Sequence, residues 1–220
     1  IGGYDGSTYQ DGIWSSSDGV NWMEEVENAS FSPRSTHQVI QFQNKLWLIG
    51  GHDGDYKNDI WSSADGISWV EERSAADFTA RSGHQVVTFK NKLWLIGGRN
   101  GTTNSNDIWS SSDGINWTEE IANANFSLRR SHQVVLFDTK LWLIGGYDGS
   151  NKNDIWSSTD GINWVEEVPN APFSGRSGHQ VEVFDNKIWL IGGWSGSHKN
   201  DIWFSSDGIN WTQETSSANF

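Results

Sequence analysis

Paired carboxylates are the first feature of this sequence that could do chemistry. Glu-Glu pairs begin at positions 24, 71, 119 and 166. Two carboxyl groups that flank one bond can act as general acid and general base, as they do in glycoside hydrolysis. Neighbouring residues of a β-strand point to opposite faces, however, so such a pair cannot flank a single bond. We therefore expect the pairs on an outer strand, where charge discourages edge-to-edge aggregation.

Histidine and arginine also recur at a fixed phase. The phased histidines are His37, His84, His132 and His179. The phased arginines are Arg34, Arg81, Arg129 and Arg176. A ring of imidazoles could hold a metal, but one ligand per repeat around a wide ring does not bring nitrogens within about 2.1 Å of one ion. We expect structural hydrogen bonds from both sets, although several arginines at one end of a ring of repeats could attract an acidic ligand. The sequence predicts no catalytic residue, metal site or cofactor.

The side chains that break the repetition lie mainly in one loop of each unit, directly after a Gly-Gly pair. These loops read YDGSTYQ, HDGDYK, RNGTTNS, YDGSNK and WSGSHK. The residues directly after the glycines are Tyr4, His52, Arg99, Tyr147 and Trp194. The further candidates are Tyr9, Tyr56 and His198 in the same loops, and Arg130, which replaces a serine of the other units. Surface loops also vary without a function, but amphipathic and cationic side chains are enriched at recognition surfaces. We therefore predict a binding site from these residues.

The elements that must position these loops are β-strands. The tryptophans Trp14, Trp61, Trp109, Trp156 and Trp203 are spaced by 47, 48, 47 and 47 residues, which indicates a repeat architecture. In one unit, residues 84–89 and 92–96 are rich in β-branched and aromatic residues and flank a short polar turn, as in a hairpin. The segment DIWSSSDGINW predicts a second hairpin, in which Asp-Gly tolerates the positive φ of a tight turn. Each unit therefore has four strands.

A repeated four-stranded meander without a helical period predicts an all-β fold, a β-propeller of four-stranded antiparallel blades. We predict one domain over residues 1–220, with complete blades at approximately 31–77, 78–125, 126–172 and 173–220 and a partial fifth blade at 1–30. The partial blade lacks about 17 residues, the first strand and most of the second. An unseen segment, additional blades, or self-association that completes the open blade with a second chain would each close the sheet.

The tryptophans fit this architecture. Of the 15 tryptophans, all but Trp194 recur at a fixed phase. A fixed phase is typical of packing between blades, because large aromatic side chains dominate core energetics.

The stretch PRSTHQVIQFQNKLWLIGGHDG, followed by NDIW and a later tryptophan, resembles the kelch repeat, and the likeness covers essentially the whole chain. The resemblance implies that the phased arginines belong to the framework. It also implies that the loop after the second strand and the entry into the first strand open on one face, around a central channel. The entry positions are Ser35, Thr36, Ser82, Gly83, Ser131, Ser177 and Gly178. SSSDGVNW also approaches the Asp-box of sialidase-type propellers, although Asp and Gly are adjacent here.

Composition limits the partners. The tryptophan-rich, acidic chain has a net charge of −13 and a pI of about 4.7, so we expect neither nucleic acid nor an anionic lipid surface as a partner. No run of about 18 apolar residues is present, so we expect no membrane insertion. The absence of cysteine excludes disulfides and the tyrosine–cysteine copper site of galactose-oxidase-like propellers that the resemblance would allow. We expect an extracellular or cell-surface location in preference to a cytoplasmic one.

These observations favour a non-catalytic kelch-type binding module, with a protein partner that binds the variable loops. One alternative is a multivalent carbohydrate-binding propeller, in which aromatic loop residues stack on sugars. A sugar-active enzyme of sialidase-like or epimerase-like type is the other, but the symmetry-breaking residues contain no recognisable nucleophile, base and orienting group.

Overall fold

The strands follow the repeats of the sequence. The computed structural model describes residues 1–220, which form β-strands and no helix. Residues 1–30 contain β1 (Gly3–Tyr4), β2 (Tyr9–Gln10), β3 (Ile13–Ser15) and β4 (Met23–Val26). Blade I comprises β5 (Gln38–Phe42), β6 (Lys45–His52), β7 (Tyr56–Ser63) and β8 (Val70–Arg73). Blade II comprises β9 (Gln85–Phe89), β10 (Lys92–Asn100), β11 (Thr103–Ser111) and β12 (Thr118–Ile121). Blade III comprises β13 (Gln133–Phe137), β14 (Lys140–Tyr147), β15 (Asn151–Ser158) and β16 (Val165–Val168). Blade IV comprises β17 (Gln180–Phe184), β18 (Lys187–Trp194), β19 (His198–Ser205) and β20 (Thr212–Thr215).

Each blade is an antiparallel sheet in which the four strands pair in chain order. The first strands of successive blades lie side by side, β5 with β9, β9 with β13 and β13 with β17. They line a central channel of about 460 Å³, to which each contributes glutamine and valine. The arrangement is an all-β propeller, as the repeat predicts. No helix of the length and apolarity needed to cross a membrane is present.

The hairpin between the first two strands of each blade closes through two left-handed residues. In blade I these are Gln43 and Asn44, with φ of 49° and 60°. Two consecutive residues with positive φ define a type I′ turn, whose twist matches that of the flanking strands. The other blades use Lys90–Asn91, Asp138–Thr139 and Asp185–Asn186. The predicted hairpin over residues 84–96 is therefore confirmed.

The Asp-Gly turn between the third and fourth strands works differently from the prediction. Gly66 has a φ of 80°, whereas Asp65 does not take a positive φ. The Asp65 carboxylate instead accepts hydrogen bonds from the backbone N–H groups of Ile67 at 2.9 Å and Ser68 at 2.7 Å. Glycine supplies the left-handed conformation, and aspartate holds the turn closed as a side-chain acceptor.

Tryptophan joins each blade to the next. Trp94 of β10 is 4% exposed, and its Nε1 donates a hydrogen bond of 3.0 Å to the carbonyl of Phe89. Its indole lies against Gly161, in the Asp-Gly turn of blade III. Trp164, which directly precedes the fourth strand of blade III, is 2% exposed in the same apolar cluster. The junctions between blades I and II and between blades III and IV repeat this packing.

Residues 1–30 form two two-stranded sheets, β1–β2 and β3–β4, and pack against blade I through Ile13, which lies in one apolar cluster with Phe31 and Leu48. On the other side, Trp14 and Trp22 are 49% and 59% exposed, because no sheet packs there. The prediction that all phased tryptophans pack between blades is therefore wrong for these two, and it is also wrong for Trp189, whose ring contacts Phe204 of its own blade. Phe184, on the far side of blade IV, is likewise exposed.

We expect Gly161→Ala to destabilise the protein more than Gly19→Ala does. Both glycines occupy the Asp-Gly turn with positive φ, 87° and 76°, which costs alanine about 1 to 2 kcal/mol. A Cβ at Gly161 would lie 2.7 Å from the Trp94 ring, whereas a Cβ at Gly19 would meet nothing within 4 Å. Overpacking adds about 1 to 3 kcal/mol at Gly161. Guanidinium unfolding curves measure the difference, and equal losses would contradict the packing described above.

Candidate functional site

The Gly-Gly pair lets the next blade pass close to the second strand. Gly51 has a φ of 108°, and a Cβ there would lie 2.8 Å from the Cβ of His37. Its N–H donates to the carbonyl of Arg81 in blade II at 2.9 Å. Because glycine permits this approach without breaking the strand, β6 continues to His52. The second strand, which is nearly identical in every blade, therefore holds the residue after the glycines at the same place in each blade.

That place is beside the entry of the same blade. His52 and Ser35 exchange two backbone hydrogen bonds of 3.0 Å. The equivalent pairs are Ser82 with Arg99, Arg130 with Tyr147 and Ser177 with Trp194. The expectation that the residues after Gly-Gly lie beside the entry positions is thus met in the four blades.

The entry segments are linked to one another around the mouth of the channel. The N–H of Gly83 donates to the carbonyl of Thr36, Ser131 donates to Gly83, and Gly178 donates to Ser131, at 2.8 to 3.0 Å. All four residues have φ between 52° and 61°. This backbone chain makes a rigid rim from which the loops project. We define the variable-loop face as residues 4–10, 52–57, 99–105, 147–152 and 194–199 together with the entry positions.

An aromatic row crosses part of this face. The Tyr4 and Tyr9 rings are 5.1 Å apart, Tyr9 and His52 are 5.6 Å apart, and His52 and Tyr56 are 4.9 Å apart. The hydroxyl of Tyr9 and Nδ1 of His52 form a hydrogen bond of 2.8 Å. Tyr56 donates to the carbonyl of Gly101 at 3.2 Å, which connects the row to the loop of blade II.

An arginine pair continues the row on blades II and III. The Arg99 Nε donates to the Gly101 carbonyl at 2.7 Å. The Arg130 guanidinium lies 4.7 Å from the centre of the Tyr147 ring, a cation–π contact, and its Nη1 donates to Oδ1 of Asn104 at 3.0 Å. The structure thus brings seven of the predicted residues into one continuous set, which comprises Tyr4, Tyr9, His52, Tyr56, Arg99, Arg130 and Tyr147.

Trp194 and His198 form a separate pair. Their rings are 4.9 Å apart on blade IV, and Trp194 is 45% exposed. No hydrogen bond or ring contact connects them to the other candidates, because β18 lies beyond blade III from the aromatic row.

Two depressions adjoin the arginine pair. One, of about 260 Å³, lies at the rim and includes Ser35, His52 and Tyr56. The other, of about 430 Å³, lies between the loops of blades II and III and includes Asn104, Leu128 and Tyr147. Arg99 and Arg130 line both. The guanidinium groups therefore form the boundary between the two concave surfaces.

Asn104 is a site residue that the sequence interpretation missed. Its amide donates to the Tyr147 carbonyl at 2.9 Å and accepts the Arg130 bond, so it fixes the blade II loop against blade III. A signal was present in the repeat spacing, because the interval of 48 residues between Trp61 and Trp109 spans a loop that is one residue longer than the loops of the other three complete blades. The extra residue lies in the segment 99–105.

The phased arginines are structural, as expected. Arg129 is fully buried and forms a bidentate ion pair with Asp154 at 2.7 and 2.8 Å, and it also donates to the Gly145 carbonyl at 2.9 Å. The sequence interpretation did not identify the aspartate partners, which are Asp59, Asp107, Asp154 and Asp201. Each lies in the NDIW motif of the same blade. In residues 1–30, where no phased arginine occurs, Gly12 stands at the aspartate position.

The phased histidines do not form the structural hydrogen bonds that we expected. His84 is fully buried, and neither ring nitrogen has a hydrogen-bond partner of good geometry. The ring instead fills the space between Gly50 of blade I and Gly98 of its own blade. Burial lowers the pKa of His84 to about 3, with the charge of Arg81 adding to the effect and the Ile49 carbonyl only partly opposing it. No group of three or more histidine, aspartate or glutamate side chains is placed to hold a metal ion.

The Glu-Glu pairs lie on the fourth strands, and their members face opposite ways. In blade I, Glu71 is exposed, while Glu72 accepts hydrogen bonds from Ser62 at 2.6 Å and Lys45 at 3.1 Å. Glu120 and Glu167 make the same serine contacts in blades II and III. The second glutamate of each pair therefore stabilises its own sheet.

Comparison with known proteins agrees with this architecture. A search of curated proteins found no match to the chain. The family described as the KLHDC2/KLHL20/DRC7 Kelch-repeats domain matches residues 1–193, which contain the framework arginines, the Gly-Gly strands and all four blade entries. The match covers most of the chain and ends before the third strand of blade IV. The chain belongs to this kelch-repeat family.

Proposed function

We propose that this propeller is a non-catalytic binding module and that its partner is another protein, held at the variable-loop face. One observation carries the proposal. Five of the side chains that break the repetition line two depressions at one end of the channel, namely His52, Tyr56, Arg99, Arg130 and Tyr147, whereas the phased arginines and the second residues of the Glu-Glu pairs are engaged in the framework. A surface that differs in chemistry from blade to blade, on a rigid rim, is suited to recognition.

The contacts of the face support a protein partner. Tyrosine, arginine and tryptophan dominate hot spots of protein interfaces, and here they project from loops fixed by backbone hydrogen bonds. Preorganised loops lose little conformational entropy on binding. The kelch-repeat fold is consistent with this role, since the family is in general a protein-binding propeller.

A selection from a displayed random-peptide library tests the proposal. We expect the wild-type protein to enrich peptides, and the variant Y4A/R99A/Y147A/W194A to bind those peptides at least about tenfold more weakly while its unfolding curve is retained. E119Q/E166Q, on exposed outer-strand positions, is the matched control and should bind as wild type does. Peptide binding that survives in the face variant would exclude this site.

A glycan array with the same three proteins addresses the lectin alternative, which the exposed rings of Tyr4 and Trp194 favour. Glycan binding without peptide binding would replace the protein partner with a carbohydrate. Turnover of a sialoside or another sugar would contradict the non-catalytic assignment.

A further inference from the structure

The first and last sheets of the propeller both expose an apolar face. Phe220, which follows the last strand of blade IV, is 71% exposed. At the other end, Trp14 and Trp22 are exposed on the side of residues 1–30 that faces away from blade I. Terminal repeats of repeat proteins need a polar outer face for solubility. Two apolar end faces therefore indicate surfaces that another molecule covers.

Blade IV is more apolar on its open face than the other blades are on the same side. In blades I to III, a serine lies across from the tryptophan of the second strand and donates to a glutamate, as Ser62 donates to Glu72 at 2.6 Å. Blade IV has Phe204 at this position, and its ring lies 5.3 Å from that of Trp189. Lys187 extends over the Phe204 ring at 4.5 Å. This face thus has the aromatic composition of an interface.

The junctions between blades show what such faces contact. The phenylalanine of each linker packs edge-on against two tryptophans of the blade that follows. Phe78 lies 6.4 Å from Trp109 and 5.5 Å from Trp117 between ring centres. The same arrangement joins Phe31 to Trp61 and Trp69, Phe126 to Trp156 and Trp164, and Phe173 to Trp203 and Trp211.

The two ends of the chain carry the two halves of a fifth contact of this kind. Phe220 occupies the position of the linker phenylalanine after blade IV, and Trp14 and Trp22 occupy the corresponding tryptophan positions at the other end. Ala218 and Asn200 exchange hydrogen bonds of 2.8 and 2.9 Å, which hold this linker on blade IV as in the other blades. The phenylalanine is therefore held in place for a following blade.

A second contact is divided between the ends in the same way. In each junction, the tryptophan of the second strand packs on the glycine of the Asp-Gly turn in the following blade. A Cβ at Gly114 would lie 2.6 Å from the Trp47 ring, for example. Trp189 is the equivalent of Trp47 in blade IV and packs on no such glycine, whereas a Cβ at Gly19 would meet nothing within 4 Å.

We propose that the chain associates head to tail with a second copy of itself. Blade IV of one copy packs against residues 1–30 of the next copy, as each blade packs against the one that follows it. The linker phenylalanine of one copy contacts the two exposed tryptophans of the next, and Trp189 lies on Gly19. A second copy is favoured because each end face continues an interface that the chain already contains between its own blades.

The two faces differ, so the contact is heterologous. Such a contact closes into a ring where the rotation between copies allows it and continues as an open assembly where it does not. It also goes beyond the proposed function, because the end faces are the sides of sheets and the variable-loop face lies where the strands end.

Sedimentation velocity over a range of protein concentrations tests this inference. Three double variants each add two positive charges at exposed or partly exposed apolar positions. They are W189K/F220K on the blade IV face, W14K/W22K on the face of residues 1–30, and V70K/V165K on the outer strands of blades I and III as the matched control. We expect wild type and the control to associate as the concentration rises. Each face variant alone should associate about a hundredfold more weakly, because two aromatic contacts are lost.

A mixture of the two face variants distinguishes head-to-tail association from other modes. One variant keeps an intact blade IV face and the other keeps an intact face on residues 1–30. We therefore expect the mixture to form a complex of one molecule of each, although neither variant associates alone. This recovery also shows that both variants remain folded.

The remaining outcomes overturn the inference. Wild-type protein that stays monomeric up to its solubility limit would leave both faces to a different partner. Association of either face variant with itself would show that like faces bind each other. Association of both variants as strong as that of wild type would place the contact on another surface, and a mixture that stays monomeric would show that the two faces do not bind each other.

Discussion

Replacing Arg129 with methionine is expected to lower the free energy of unfolding by about 3 to 5 kcal/mol, because it leaves the charge of Asp154 buried without its partner. Asp154 is 8% exposed and otherwise accepts only the Trp156 indole N–H among side-chain donors, at 2.8 Å. The substitution also leaves the Gly145 carbonyl without the guanidinium donor. Chemical denaturation at pH 7 measures the loss.

The surface pair Arg73–Asp77 offers a matched control for this prediction. Its side chains are 29% and 43% exposed and lie 3.3 Å apart. We expect R73M to cost less than about 1 kcal/mol, since solvent screens an exposed pair. The double variant R129M/D154N should recover part of the loss, because it removes the buried charge. Equal destabilisation by R129M and R73M would show that the buried pair does not hold the blade together.

Acidification from pH 7 to pH 5 is expected to destabilise the fold through its buried histidines. Burial lowers the pKa of His84 and of His179 to about 3, and burial also lowers the pKa of His132. An unfolded histidine titrates near pH 6.5, so between about pH 6.5 and 3 the unfolded chain binds more protons and stability falls as the pH falls. At pH 5 the loss is about 2 kcal/mol for each of His84 and His179.

Unfolding curves at pH 7, 6 and 5 test this dependence. H84Q/H179Q should show a smaller change between pH 7 and pH 5 than wild type, whatever its stability at pH 7. H198Q, at an exposed position, controls for the loss of a histidine as such. The turn aspartates do not interfere, because backbone N–H donors hold their pKa values below the usual range and their effect begins only below about pH 4. A wild-type stability that is constant from pH 7 to pH 5 would contradict the prediction.

The sequence was sufficient to predict the blades but not every contact that holds them. Trp94 and the residues 84–96 could be placed because period and turn chemistry are local properties of the chain. The partner of Arg129 lies 25 residues away on the third strand, and a repeated aspartate within a tight motif has the same appearance whether it binds an arginine or caps a turn. A phased histidine such as His84 is equally compatible with a structural hydrogen bond and with a packing role. Only the positions of Gly50 and Gly98 in the fold distinguish these two roles.

The sequence was sufficient to predict which loops form the candidate site, but not which of their side chains contact one another. Gly-Gly followed by a variable residue identified the loops, because repetition makes every departure visible. Which of these residues meet depends on how neighbouring blades are set side by side. The aromatic row therefore joins residues 1–30 to blade I, and the arginine pair joins blades II and III, while Trp194 stays apart.

The two guanidinium groups of the arginine pair come from different repeats, so the pair depends on the order of the repeats. A copy of residues 31–77 inserted between residues 125 and 126 would separate Arg99 from Arg130 without altering either side chain. The same copy inserted between residues 172 and 173 would leave them adjacent. Insertion of one repeat at one boundary or the other can thus remove or retain the pair without a point substitution.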